Sequence, residues 1–537
     1  MDGIRTAPIR QVVPVLLLYV LISILGMYYH ELALEEAQFF LLARDSDSLS
    51  SLYHNMQYEG HPRLWCALLF FITHFITSSY IGMQVLHLMI TTATVFLFLR
   101  YAPFRMWMKA FIIGGYYFLF EYDILSRNYA PGILVLFVCC LQMSRAAATV
   151  NRRESSRRWS DAGLTRVRDL ETRRGLNLPL MGLLLVLLCN THLFFAFAAA
   201  GIYISLLVEY AGQGKIFSRS FLLFSLLFVA GFVTALVQLQ VPSADRLFTV
   251  KWSEGPTRHS MVAASYALIR GWFPIPAFSG ENFWNSYWLS DETTGGIVRV
   301  ILFIFSLLFP ALVLRRSSRA QVFYYTVIFL LLGFFLFLPM VASRYFGVEY
   351  VCFIAACWMA GQGSRDFFAF RRERNPTMRN ALQVTTWLIL AVQLVIGGYA
   401  LAQDIGRPFS QAKNAVAFIK EQQLETQELI VDGYIAGPAL SVYSGKKLYY
   451  LATGERGSFC VWKKINFPQP PSTVEEEIER SDLVKGLDRF ILISNRPMTA
   501  GLIRLGDAHF RFVPLASFTN SITPLENSYI YQAIRKT

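Results

Sequence analysis

Five short stretches carry residue types that can do chemistry. Glu35-Glu36 is an adjacent carboxylate pair, and partial burial with like-charge proximity raises one such pKa into the range of a general base or a metal ligand. Gly60-His61-Pro62-Arg63 adds two cationic donors. Glu121 and Asp123 precede Arg127-Asn128-Tyr129, a spacing that lets a carboxylate orient a guanidinium able to clamp phosphate through two parallel hydrogen bonds. Thr191-His192 and Ser343-Arg344-Tyr345 repeat the polar theme later in the chain. The plain alternatives are a solvated helix face for the two glutamates, an Arg–Asp pair satisfying itself, and a histidine that is only hydrogen-bonded. His30-Glu31 opens like a zinc-protease helix, but Leu34 stands where the second histidine of H-E-x-x-H belongs, so that chemistry is excluded. Arg270 and Glu281, in an aromatic-rich stretch with Trp252, Trp272, Trp284 and Trp288, are further polar candidates without assignable roles.

The elements that must position these residues follow from composition. Of the 537 residues 54% are apolar and 16% charged, against about 25% charged in a soluble domain, and the apolar residues come in runs near the ~20 that a bilayer requires. A soluble multidomain enzyme and a disordered chain are excluded. The formal charge of +13 lies in short loops: 145–174 holds nine Arg against four acids, and 100–109, 315–319 and 365–379 are also basic. Such loops face the cytoplasm, so the excess orients the protein and calls for no nucleic acid. Spans are expected near 11–29, 81–99, 110–121, 132–148, 178–191, 193–211, 220–240, 297–314, 321–341, 346–363 and 382–402, with the first retained rather than cleaved.

About 11 transmembrane helices with the N-terminus inside place the loops 30–63, 121–131 and 241–296, and the tail, outside. That parity requires 64–78 to be an interfacial or re-entrant helix. Leu32, Phe39, Phe40 and Leu42 predict an amphipathic helix lying at the membrane surface beside the two glutamates. The expected fold class is thus a polytopic α-helical membrane protein, with a transmembrane domain over 1–402 and a small extracytoplasmic α/β domain over 403–537. In the tail, a helix at 411–424 and strands at 428–432, 448–451, 489–494 and 509–518 are expected, without a phosphate loop or dinucleotide fingerprint. Seven cysteines, mostly within apolar runs, form no disulfide framework or metal pair.

Taken in order, these stretches resemble the C-type superfamily of membrane glycosyltransferases (GT-C), which includes protein O-mannosyltransferases, aminoarabinose transferases of lipid A and bacterial polyprenyl-phosphosugar enzymes. Glu35-Glu36-Ala37 is similar to that family's Asp-Glu motif and Gly60-His61-Pro62-Arg63-Leu64 to its His-Pro-Pro-Leu. Ser126-Arg127-Asn128-Tyr129-Ala130 resembles its Arg-x-Tyr element, Thr191-His192-Leu193-Phe194 its Thr-His-Tyr turn, and Ser343-Arg344-Tyr345 a late Arg-Tyr. The likeness spans residues 1 to about 402; Glu at position 35 and Arg63 depart from the pattern.

The resemblance implies inverting transfer of a sugar from a polyprenyl-phosphate donor to a lipid, glycan or protein acceptor at the outer face of the cytoplasmic membrane. Glu35 or Glu36 would act as base. Arg127, Arg344, His61 and Arg63 would hold the donor phosphate, with Glu121, Asp123, Tyr129, His192 and Tyr345 in support. No cofactor is assigned, with a divalent cation left open; membrane lipids are the other partners. The rival readings are a transporter or flippase for an anionic or lipid-linked substrate, and an O-antigen ligase- or polymerase-like enzyme.

Overall fold

The computed structural model describes residues 6–160, 176–241, 247, 255–278, 282–289, 296–338, 342–362, 364, 366–371, 373–467, 473–498 and 509–536, with backbone alone over 147–160 and at 475. The chain is a polytopic, mostly helical membrane protein carrying a small C-terminal sheet. Among the described residues eight helices are long and apolar enough to cross a bilayer: Ile9–Tyr29, Tyr80–Tyr101, Tyr129–Ala146, Leu193–Gly212, Arg219–Gln238, Gly296–Leu314, Ser318–Phe337 and Pro376–Gly406. They coincide with eight of the eleven expected spans.

The other three expected spans take different forms. The 110–121 run is interrupted at Gly114-Gly115, between an α-helix Met106–Ile113 and a π-helix Tyr116–Ile124. A β-carbon at Gly397 would lie 2.8 Å from the Gly114 carbonyl oxygen, so glycine permits the last spanning helix to cross directly over this break. The 178–191 run yields only Leu178–Cys189, about 18 Å of helix against ~30 Å of hydrocarbon. The helix Ser343–Ala360 is buried along nearly its whole length, so its apolar residues serve protein packing rather than lipid contact. Leu64–Phe75, at 12 residues, is likewise too short to cross.

The C-terminal strands are β1 (Leu429–Asp432), β2 (Leu448–Tyr450), β3 (Glu455–Gly457), β4 (Arg489–Ser494), β5 (Phe510–Phe518) and β6 (Ser528–Arg535). They form one sheet in the order β3-β2-β1-β4-β6-β5, with β1 parallel to β2 and β4 and the outer pairs antiparallel. The expected tail strands are present; β3 and β6 were not foreseen. One face of the sheet covers Val474 and Ile478. The other shares a core with the first loop, where Leu32, Phe40 and Leu41 pack with Trp65, Leu69, Leu440 and Ile491.

That shared core corrects the expectation of a surface helix in the first loop. Helix Leu34–Arg44 is buried from Glu36 through Ala43, enclosed between the C-terminal domain and Leu64–Phe75. With apolar or buried residues all round, it has no polar face to offer water. All seven cysteines are buried and unpaired.

Candidate functional site

Ala33 precedes helix Leu34–Arg44 and has no side chain able to cap it. The C-terminal domain supplies the cap instead, since the Leu34 N–H donates to Glu526 Oε1 at 2.8 Å. The Leu32 N–H donates to the Tyr443 hydroxyl at 2.8 Å, fixing the chain two residues earlier. The two glutamates are therefore presented on a helix start held from outside, and adjacent positions on a helix point in different directions.

Glu36 points inward. Its Oε2 lies 2.7 Å from His30 Nε2, and its Oε1 accepts from the Ser126 N–H at 2.7 Å, while His30 Nδ1 meets Asp404 at 2.9 Å. Burial alone would raise the Glu36 carboxyl, but the His30 cation, Arg127 and the Ser126 N–H hold it below its ordinary value. Its side chain is wholly enclosed, so it joins the first loop to the last spanning helix and has no route to a substrate.

Glu35 points the other way, onto the wall of a cavity of about 510 Å³. Its Oε2 is 3.0 Å from Arg127 Nη1 and its Oε1 2.6 Å from Arg344 Nη1. One carboxylate thus bridges two guanidinium groups that are 217 positions apart in the chain, and all three side chains line the cavity. His61, Tyr129, His192 and Tyr345 line it too. The His192 ring lies 4.4 Å from that of Tyr129 and 5.2 Å from that of His61. Burial and the nearby Arg344 push the His61 imidazole down to about 4, and burial together with His61 and Arg344 lowers His192, so both rings are neutral.

Buried polar atoms without a protein partner gather here: Arg127 Nε and Nη2, Asn128 Nδ2, the Tyr129 hydroxyl, His61 Nδ1 and His192 Nε2. Buried donors left unpaired are costly, so their concentration on one cavity wall gives that wall spare hydrogen-bonding capacity. The remaining lining is apolar at Leu236, Leu239, Phe334 and Leu338, from the ends of two spanning helices.

The supporting residues divide sharply. Glu121 accepts from the Tyr116 hydroxyl at 2.8 Å and from Trp284 Nε1 at 3.2 Å, and lies 3.3 Å from Arg127 Nη1, so it orients that guanidinium. Asp123 does not share this role. Its carboxylate turns toward the first spanning helix, hydrogen-bonded to Ser23, because two positions along a π-helix separate it from the Glu121 face. Arg63 does not line the cavity; its guanidinium sits 3.6 Å from the Tyr53 ring centroid, a cation–π contact that draws it away. Tyr345 accepts from Arg344 Nη2 at 3.1 Å, and the Tyr122 hydroxyl donates to the Arg344 carbonyl at 2.6 Å.

Arg270 acts from behind the site. It donates to Ser343 Oγ at 2.7 Å and to the Ser286 carbonyl at 3.0 Å, while Asn285 accepts from the Ser343 N–H, so this segment braces the residue preceding Arg344. Glu281 and Trp252 lie outside the described residues. Sequence reasoning missed Gln38, Tyr58, Glu59 and Trp462, all on the cavity wall, and did not pair Trp284 with Arg127, although its ring lies 5.1 Å from that guanidinium.

A divalent cation fits these residues poorly. Among the described residues no three His, Cys, Asp or Glu side chains are grouped as metal ligands, and Glu35 is committed to two cations already. No family model matches the chain, and no curated protein is significantly similar to it in sequence.

Proposed function

We propose that this cavity transfers a sugar from a polyprenyl phosphate to an acceptor hydroxyl, in the manner of the GT-C glycosyltransferases that the motifs resemble. The observation that carries the reading is the Glu35 bridge between Arg127 and Arg344 on the wall of a cavity whose other lining is apolar and comes from spanning helices. Two converging guanidinium groups suit a phosphate, and apolar helix ends suit the lipid attached to it.

On this reading the donor phosphate replaces Glu35 at the two arginines and releases its carboxylate. Glu35 then accepts the proton of the acceptor hydroxyl as that oxygen attacks the anomeric carbon from the face opposite the phosphate. The bond between the anomeric carbon and the phosphate oxygen breaks with inversion, and the electron pair leaves on polyprenyl phosphate. Arg127 and Arg344 stabilise the charge that develops there, an effect worth about 3–4 kcal/mol per donor in a dry site. Tyr129, Asn128 and His192 offer further donors to the same oxygens. Glu36 is assigned to holding the loop, and the base is Glu35. The positive-inside bias of the basic loops supports a reading in which the cavity and the C-terminal domain face away from the cytoplasm.

The test is acceptor-dependent release of polyprenyl phosphate by the purified protein, given a panel of polyprenyl-phosphate sugars with lipid, glycan and protein acceptors supplied. Wild type should turn over at least one donor, while Glu35→Gln, Arg127→Ala and Arg344→Ala should lose it. Undiminished turnover in those three variants overturns the site.

A further inference from the structure

The same cavity has a second wall of different chemistry. Gln38 lies one helical turn from Glu35, on the same face of helix Leu34–Arg44, so whatever binds at Gln38 sits directly beside the proposed base. Its amide is fully occupied: Nε2 donates to Glu59 Oε1 at 2.6 Å and to the Cys460 carbonyl at 2.7 Å, and Oε1 accepts from the Cys460 N–H at 2.8 Å. This fixes the segment carrying Trp462, whose indole donates to Glu59 and whose ring stacks on Phe467 at 5.3 Å and 5°. Tyr58 completes the wall, with the Lys463 ammonium 5.2 Å from its ring.

We infer that Gln38, Tyr58, Glu59 and Trp462 form a carbohydrate subsite that holds the acceptor of the reaction through its hydroxyl groups and one face of its ring. The wall is set before any ligand arrives, which removes the ordering cost of binding. Its aromatic groups offer apolar faces to the C–H side of a sugar ring, and the Glu59 carboxyl, held in place by Gln38, offers hydrogen bonds to neighbouring hydroxyls. Burial pushes the Glu59 carboxyl up to about 7, against which Gln38 and Trp462 pull, so near neutral pH it can both donate to and accept from a hydroxyl. A phosphate finds its donors at Arg127 and Arg344, and a polyprenyl chain its lining at Leu236 and Phe334; this wall resembles neither. That the bound sugar is the acceptor rests on the transferase reading, whereas carbohydrate binding at this wall stands apart from it.

The experiment is saturation-transfer difference NMR on the full-length protein in nanodiscs, with methyl α-glucoside, methyl α-mannoside and methyl α-galactoside as probes at millimolar concentration and no lipid donor. Ring-proton transfer is expected for at least one glycoside in wild type. It should persist in Trp462→Phe and Arg127→Ala, and fall at least fivefold in Trp462→Ala and Glu59→Ala. No transfer to any of the three in wild type, equal transfer in Trp462→Ala and Glu59→Ala, or loss in Arg127→Ala alone overturns the subsite. Glycoside binding without polyprenyl phosphate release sinks only the transferase reading; release without glycoside binding sinks only the subsite.

Discussion

His30 makes the strongest quantitative prediction. It sits just beyond the first spanning helix, flanked by Glu36 at 2.7 Å and Asp404 at 2.9 Å, all enclosed. Burial by itself would strip its proton, but Asp404 and Glu36 overcome that and raise the imidazole from 6.5 to about 10. The folded protein therefore retains a proton that the unfolded chain gives up. Stability from this contact is complete below about pH 6.5 and is lost as pH climbs toward 10. The difference between the two values corresponds to roughly 5 kcal/mol, an upper bound for one enclosed group. Substituting His30→Gln removes the cation and leaves two carboxylates facing each other without it. Thermal unfolding followed by tryptophan fluorescence, from pH 6 to pH 10, should show the variant several degrees less stable than wild type at pH 6, with the gap closing toward pH 10. Parallel curves, offset by a constant amount across the range, would refute the argument.

Other outcomes follow from the same geometry. Burial raises the Glu526 carboxyl from 4.5 to about 7, so the folded state holds its proton longer than the unfolded chain and stability falls as pH rises between those values. Glu526→Gln should then be more stable than wild type at pH 8, by up to about 3 kcal/mol, and equal to it near pH 4.5, as read by melting temperature. A β-carbon at Gly347 would lie 2.1 Å from the Tyr117 ring, so Gly347→Ala should cost about 1–3 kcal/mol or abolish folding, visible as a lowered melting temperature or loss of monodisperse protein. In the transfer assay Arg127→Ala should reduce turnover by about 10²–10³-fold, whereas Arg63→Ala, whose guanidinium lies over Tyr53, should stay within about threefold of wild type.

Much of this was legible in the sequence. Hydropathy located the eight long helices, since the bilayer imposes one length and one composition on anything that crosses it. Motif order brought Glu35, Arg127, Arg344, His61 and His192 to one cavity. Which of Glu35 and Glu36 faces the cavity was not legible, because it depends on which side His30 and Asp404 enclose, and those two residues are 374 positions apart. Asp123 and Arg63 were misplaced for a related reason: a π-helix and a nearby aromatic ring redirect a side chain without any change in the pattern of residue types. Gln38, Glu59 and Trp462 gave no signal because the wall they build exists only where the last fifth of the chain folds back on the first loop.

The foreign cap on Leu34 and the paired amide at Gln38 have a consequence for anyone recombining this protein. Residues 30–63 and the segment after 406 behave as a single cassette, although 343 positions of sequence lie between them. Grafting a different C-terminal domain onto the membrane portion would uncap the helix that carries Glu35 and dismantle one side of the chamber together. Exchange should succeed only when both pieces travel as a matched set, so any new specificity has to be introduced at both ends of the polypeptide at once.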